Sequence, residues 1–218
     1  MTKASIPAER WSKPPGAADG PWLLSAGPGS LPGERPTRAA GPAAVLFDRD
    51  GTLIEDVPYN ADPALVRPLP RVREALDALR ARGVAIGVVS NQSGAARGYF
   101  GRDGVEAVRR RVEELLGPFD VWAICPHAPW NCCACRKPAP GLVQAACARL
   151  GVPATRTAVV GDIGSDMAAA RAAGARGVLV PTPVTRREEI VGAHEWAPDV
   201  LTAVRALLGA DPGEERGA

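Results

Sequence analysis

The chain has 218 residues, 46% of them apolar, and 26 Lys and Arg against 24 Asp and Glu give it a formal net charge of +2. That length holds one domain with a substantial core. The near balance of charge argues against an electrostatic nucleic-acid binder, and no stretch is apolar for long enough to span a bilayer.

Residues 1–41 crowd Pro, Gly, Ala and Ser, show no apolar period and contain no run suited to a strand or helix, so a disordered extension is expected. Glu9, Arg10 and Lys13 interrupt their little hydrophobicity, which does not fit a secretory leader and points to the cytoplasm. From 42 to 210 strand-like and helix-like segments alternate. This is the pattern of an α/β fold, a three-layer doubly wound parallel sheet with right-handed crossovers. The spacing predicts strands at 43–48, 84–90, 120–124, 157–161 and 177–180. Helices are predicted at 71–82, at 103–116 with Asp103 as N-cap, at 141–150, at 165–173 and at 199–208. In the second of these, the run of Arg and Glu over 109–115 reads as a solvated helix face. The last residues, 211–218, read as a flexible tail.

VLFDRDGTL, residues 45–53, ends an apolar run on two aspartates one residue apart. Asp48 leaves the sheet at its carboxyl end, where ligands of open parallel sheets bind. A carboxylate there can attack phosphorus and form an aspartyl phosphate, with Asp50 near enough to handle the proton. Gly51 permits the sharp turn, and Thr52 can hydrogen-bond it. A calcium loop needs further oxygen ligands at fixed spacing, but Leu53 and Ile54 stand in their place.

Two more clusters follow predicted strands. SNQSG, Ser90 to Gly94, can present a hydroxyl, an amide and backbone N–H groups to phosphate oxygens, or serve only as a turn and cap. In VVGDIGSDM, Asp162 follows a strand and suits a Mg²⁺ ion that takes a few carboxylates plus water and phosphate. Asp166 reads equally as an early-helix acid favoured by the helix dipole. Asp48, Asp162 and the backbone carbonyl of Asp50 can supply a partial shell for the ion. Lys137 is the only lysine after position 13, and a compact ammonium suits a tight phosphoryl site better than a guanidinium.

All five cysteines lie between Cys125 and Cys147, with His127 among them. In CPHAPWNCCAC, Cys125, His127, Cys133 and Cys135 can close on one tetrahedral zinc ion, with Cys132 a rival for Cys133. Disulfides are the alternative, and a reducing cytoplasm disfavours them. Four protein ligands leave no open position, so such a zinc is structural. Cys147 falls on the core side of its helix.

DRDGT, SNQSG, CPH with CxCRKP, and GDxxxDM, in this order and on alternating strands, resemble the haloacid dehalogenase superfamily of phosphatases. More narrowly they are similar to the heptose bisphosphate 7-phosphatases and histidinol-phosphatases that carry the zinc loop, over about 43–208. The resemblance implies Asp48 as nucleophile, Asp50 as general acid/base, and Ser90 with Lys137 holding the phosphoryl group. It implies Mg²⁺ on Asp48, Asp50 and Asp162, and zinc on Cys125, His127, Cys133 and Cys135. Substrate contacts fall on Asp56, Val57, Pro58 and Tyr59, on Ser90, Asn91, Gln92 and Ser93, and on Arg136 with Lys137. NQSGAARGYF is closer to the heptose enzymes.

Two departures bear on specificity. Ile163 stands where the family usually has Lys or Arg after GD, so one cationic contact to substrate is either missing or supplied by another residue such as Arg97. The segment between His127 and Cys133 is short, as in the histidinol type. Neither stretch between motifs has room for a cap domain, so loops 55–67, 95–102 and the zinc loop cover the site, with Tyr59 and Arg97 facing a sugar or a distal phosphate. The expected protein is a monomeric enzyme acting on a small sugar phosphate, with heptose bisphosphate ahead of histidinol phosphate. A zinc-stabilised binding module and a nucleic-acid 3′-phosphatase are the readings from other classes.

Overall fold

A computed structural model describes residues 20–24 and 41–209. Six strands form one sheet: β1 (Trp22–Leu24), β2 (Ala44–Phe47), β3 (Ala85–Asn91), β4 (Val121–Cys125), β5 (Thr157–Gly161) and β6 (Arg176–Leu179). Their order is β1-β4-β3-β2-β5-β6, with β2 to β6 parallel and β1 antiparallel to β4. The sheet is therefore parallel except at one edge.

The helices are α1 (Val72–Ala81), α2 (Arg102–Leu116), α3 (Gly141–Leu150), α4 (Gly164–Ala173), α5 (Arg187–Val191) and α6 (Val200–Leu208). β2 is buried on both faces. Val45 and Phe47 join the core shared with α1, α2 and α6, while Ala44 and Leu46 join the one shared with α3 and α4. These are the three expected layers. In α1, Val72, Ala75, Leu76 and Leu79 recur at helical spacing and are fully buried, so this stripe holds the helix on the sheet. Arg109 on α2 pairs with Glu106 at 2.8 Å and Glu113 at 2.6 Å but is only 13% exposed, so this part of the expected solvated face is partly buried.

β1 corrects the expected disorder of residues 1–41 at one place. Trp22 pairs with Ile124 and Leu24 with Trp122, so a short apolar triplet gains backbone partners from the sheet edge. Three residues carry no readable period, which is why the strand was not predicted. The rest of that expected extension, 1–19 and 25–40, and the tail 211–218 lie outside the described residues.

Two further differences are local. Gly101 in extended conformation, not Asp103, is the N-cap of α2, and Asp103 sits in its first turn, where an acid suits the helix dipole. Helix α5 was not predicted because none of its residues is buried, leaving no apolar pattern to read.

The chain runs outward from β2 through β3 to β4, then returns to the other side of β2 as β5. Strand order thus reverses beside β2, and a crevice opens above the carboxyl ends of β2 and β5.

Candidate active site

Asp48 follows β2 directly, with its N–H donating to the Val160 carbonyl at 2.9 Å, so the residue is pinned to β5 at that crevice. Gly51 turns the chain with φ of 75°, and a Cβ there would stand 2.5 Å from Asp162 Oδ2. The glycine is required by the close approach of a carboxylate as well as by its dihedral. Asp162 follows β5, and the Thr185 hydroxyl donates to its carbonyl at 2.7 Å. Asp166, in the first turn of α4, accepts from the Ile163 N–H at 3.3 Å.

Asp48, Asp162 and Asp166 present oxygens that all lie within 4.8 Å of one another. Lys137 Nζ lies 2.8 Å from Asp48 and 2.5 Å from Asp166, and donates to the Val89 carbonyl at 2.9 Å. The lysine backbone is clamped by Asn91, whose amide donates to the Lys137 carbonyl and accepts its N–H, both at 3.1 Å. Lys137, expected at the phosphoryl group, is thus in direct contact with the nucleophile candidate.

Burial of this group sets its electrostatics. It raises the Asp48 carboxyl to about 7; Lys137 opposes the rise, and Asp166 and Asp50 add to it. Asp162 is pushed up to about 8, first by burial and then by Asp48 and Asp166. For Lys137 burial works against the charge, but Asp166 and Asp48 outweigh it and raise its pKa, so it remains an ammonium. Fully ionised, three carboxylates would outweigh the one ammonium, an excess of negative charge on hard oxygen donors that protons or a cation can offset. A Mg²⁺ ion fits that donor set.

The Asp50 carboxylate is oriented elsewhere. Arg49 donates to it from Nε at 2.9 Å and Nη2 at 2.8 Å, and Gln92 donates to it at 2.9 Å. The same Gln92 nitrogen reaches Ser90 Oγ at 2.9 Å, linking the phosphate-binding candidate to the acid/base candidate. Arg49 is itself buried. The Asn91 side chain, expected at the substrate, is engaged with Lys137. Ser93 is half-buried on the turn after β3. In the loop of Asp56, Val57, Pro58 and Tyr59, the Asp56 carboxyl is raised first by burial and then by Asp50.

Sequence reasoning missed Arg49 and Thr185 and left Asp166 undecided. The alternation of the motif hides which way Arg49 turns, and Thr185 meets Asp162 from 23 residues away. For Asp166 the spacing from Asp162, one helical turn, was the available signal.

At the end of β4, Cys125 Sγ lies 3.3 Å from Cys135 Sγ, 3.7 Å from Cys133 Sγ and 3.5 Å from His127 Nδ1. Cys133 and Cys135 are 3.5 Å apart, and His127 Nδ1 is 3.2 Å from Cys135. A tetrahedral zinc ion with Zn–S bonds of about 2.3 Å would set its sulfurs about 3.8 Å apart, so the donors and their spacing fit. Cys132 is exposed, and its thiol faces the carbonyls of Pro129 and Trp130, which removes it as a rival. The Cys125 thiol is lowered to about 5, chiefly because Cys135 donates to it, while Cys135 is pushed up by the same bond. All five cysteines are free thiols, and Cys147 is buried, donating to the Thr157 hydroxyl at 3.5 Å. Arg136 donates to the His127 carbonyl at 3.2 Å, closing the loop back on itself.

A HAD-hydrolase-like family profile matches residues 134–207. The D-glycero-β-D-manno-heptose-1,7-bisphosphate 7-phosphatase of Pseudomonas aeruginosa is 36% identical over 145 residues, 63% of this chain and 80% of that protein. Its namesake from Pseudomonas putida is 34% identical over 176 residues, 75% of this chain and 98% of that protein. Among solved structures, the D,D-heptose 1,7-bisphosphate phosphatase of B. bronchiseptica, complexed with magnesium and phosphate, aligns with a TM-score of 0.68 and 28% identity over 76% of this chain and 98% of that one. Among the described residues, no helix is long and apolar enough to cross a membrane.

Proposed function

This chain belongs to the haloacid dehalogenase-like phosphatases, in the family of the heptose bisphosphate 7-phosphatases, and from that premise we propose that it hydrolyses the 7-phosphate of D-glycero-D-manno-heptose 1,7-bisphosphate through an aspartyl phosphate on Asp48. The observation that carries the assignment is the placement of Asp48 at the strand-order reversal, 2.8 Å from the Lys137 ammonium and grouped with Asp162.

The Asp48 carboxylate attacks phosphorus in line, and the bond to the leaving sugar oxygen breaks as Asp50 donates its proton. Arg49 and Gln92 hold Asp50 in place for this transfer. Asp50, now a base, takes a proton from water, which attacks the aspartyl phosphate, regenerates Asp48 and releases inorganic phosphate. Lys137 and the Ser90 hydroxyl neutralise and orient the equatorial oxygens. Asp48, Asp162 and the backbone carbonyl of Asp50 hold Mg²⁺, which when bound supplies counter-charge to the nucleophile and the phosphate. Cys125, His127, Cys133 and Cys135 hold a structural zinc ion, which when bound fixes the loop leading to Arg136 and Lys137.

Asp56, Val57, Pro58, Tyr59, Ser93 and Arg136 line the rim for the sugar. A domain spanning 42–210, acting as a cytoplasmic monomer on a diffusible phosphate ester, accords with this reading. The short segment between His127 and Cys133 favours histidinol phosphate as the second candidate. Steady-state kinetics with Mg²⁺ on heptose bisphosphate, histidinol phosphate and a 3′-phosphorylated oligonucleotide tests the assignment. The heptose substrate should have the highest kcat/KM. A higher value for either competitor overturns the substrate, and no turnover of any of them overturns the activity.

A further inference from the structure

β5 delivers Asp162 to the carboxylate group, but the sheet ends one residue too soon to hold it. The last main-chain bond toward β6 runs from the Val180 N–H to the Gly161 carbonyl at 2.8 Å. The next carbonyl, that of Asp162, takes its hydrogen bond from the Thr185 side chain at 2.7 Å. Thr185 is prepared for that contact. Its hydroxyl oxygen accepts the Thr182 N–H at 2.8 Å, and its own N–H donates to the Thr182 carbonyl at 3.0 Å, closing a turn of four residues. A hydroxyl has one proton, and with its oxygen engaged by Thr182 that proton goes to Asp162. The residue is buried, which keeps water from competing for the bond.

A second tie lies two residues further on. A Cβ on Gly164 would stand 3.0 Å from Glu189 Oε1, so a carboxylate of α5 bears on the first residue of α4. The segment after β6 thus grips the chain on both sides of Ile163. On its other side Asp162 has little room: a Cβ on Gly51 would stand 2.5 Å from Asp162 Oδ2, and one oxygen from each of Asp48, Asp162 and Asp166 lies within 4.8 Å of the others. An aspartate is a short lever with two side-chain torsions, so the position of its main chain decides where its oxygens fall. Mg²⁺ demands near-ideal octahedral geometry and answers small displacements of a ligand with lost affinity.

We propose that Thr185 is a positioning residue for the metal site: its hydroxyl takes over from the sheet at the end of β5 and fixes the main chain of Asp162, so that the carboxylate meets Asp48 in the geometry Mg²⁺ requires. This rests on the reading of Asp48 and Asp162 as Mg²⁺ ligands given above. Thr185 itself touches neither the ion nor the substrate.

The test is calorimetric titration of Mg²⁺ into the full chain without substrate, for wild type, Thr185→Val and Thr185→Ser. Thr185→Val keeps the shape and removes the hydroxyl, and should weaken Mg²⁺ binding about 10-fold, while Thr185→Ser keeps the hydroxyl and should stay within about twofold of wild type. In turnover, the Mg²⁺ concentration giving half the maximal rate should rise by the same factor in Thr185→Val, with KM for the sugar phosphate at saturating Mg²⁺ within about twofold. Equal affinity in wild type and Thr185→Val overturns the proposal. So does equal weakening in Thr185→Val and Thr185→Ser, which assigns the loss to packing of the turn. If Thr185→Val does not fold, Thr185→Ala against Thr185→Ser makes the same comparison; failure of both hydroxyl-free variants to fold overturns the proposal in favour of a purely structural role. A wild type without affinity for Mg²⁺ removes the metal site and this role with it. If wild type binds Mg²⁺ but hydrolyses no heptose substrate, the function above fails, and the calorimetric comparison still decides the role of Thr185.

Discussion

The carboxylate group at the carboxyl ends of β2 and β5 draws four ionisable side chains from distant parts of the chain, and the thiol group at the end of β4 draws four from a single short segment, yet the larger difference is in what each leaves open. In the first, Asp48, Asp162 and Asp166 repel one another, and Lys137 compensates only part of the charge. The oxygens are hard donors in an incomplete shell, so water and phosphate have positions to fill. In the second, three sulfurs and an imidazole nitrogen lie at 3.2–3.7 Å, the four donors of a complete tetrahedral shell with no position left for water or substrate. On the proposed reading, the first cluster is left open to receive a substrate, and the second would close on a zinc ion and hold a loop.

The comparison breaks first at Asp48. Asp48→Asn should lower kcat on the order of 10³-fold or more while keeping the fold, because the nucleophile is lost but the shape is kept. Equal Mg²⁺-dependent turnover by wild type and variant would place the nucleophile elsewhere. The thiol cluster should answer in the other currency. Cys135→Ser should lower the zinc content below the roughly one ion per chain expected of wild type, and reduce Tm by on the order of 10 °C, equivalent to several kcal/mol for a chain of this size. Metal analysis and a thermal melt check both; a zinc-free wild type with the same Tm as the variant would remove the structural role.

The smallest effect sharpens the contrast through pH. Asp48 and Asp162 sit at about 7 and 8 in the fold against an ordinary 3.8, so between about pH 4 and 8 the native protein binds more protons than the unfolded chain. Stability of the Mg²⁺-free protein should therefore fall as pH rises through that window. Mg²⁺ competes with those protons, and its stabilising effect should grow from pH 5 to pH 8. Melting curves with and without Mg²⁺ would show it; a Mg²⁺ effect that shrinks with rising pH would contradict the arrangement.

Much of this was legible from residue order because chemistry and secondary structure coincide in it. Short apolar runs bounded by turn formers locate β2, β3 and β5, and Asp48, Ser90 and Asp162 stand at or just beyond their carboxyl ends. Cys125, His127, Cys133 and Cys135 are close enough in sequence for their spacing to suggest a shared ion. What escaped depends on tertiary contact. Thr185 reaches Asp162, and Asn91 reaches Lys137, across separations that no period marks. Cys132 and Cys133 are neighbours of one type, and only the left-handed turn at Cys132 decides which thiol faces the others. β1 was lost for a simpler reason: Trp22, Leu23 and Leu24 form a strand only because β4 offers an unpaired edge.

The amide of Asn91 both donates to and accepts from the backbone of Lys137. In this it imitates one rung of a β-ladder, using a side chain where a neighbouring strand would use its main chain. The sheet's register is thereby carried past its last paired residue and imposed on the lysine. The loop from His127 to Cys135 can then gain or lose residues without shifting the ammonium, because Lys137 is measured against β3 and not against the loop that delivers it. A short cysteine loop and a long one would present the phosphate with the same positive charge at the same place, leaving the intervening residues free to reshape the pocket.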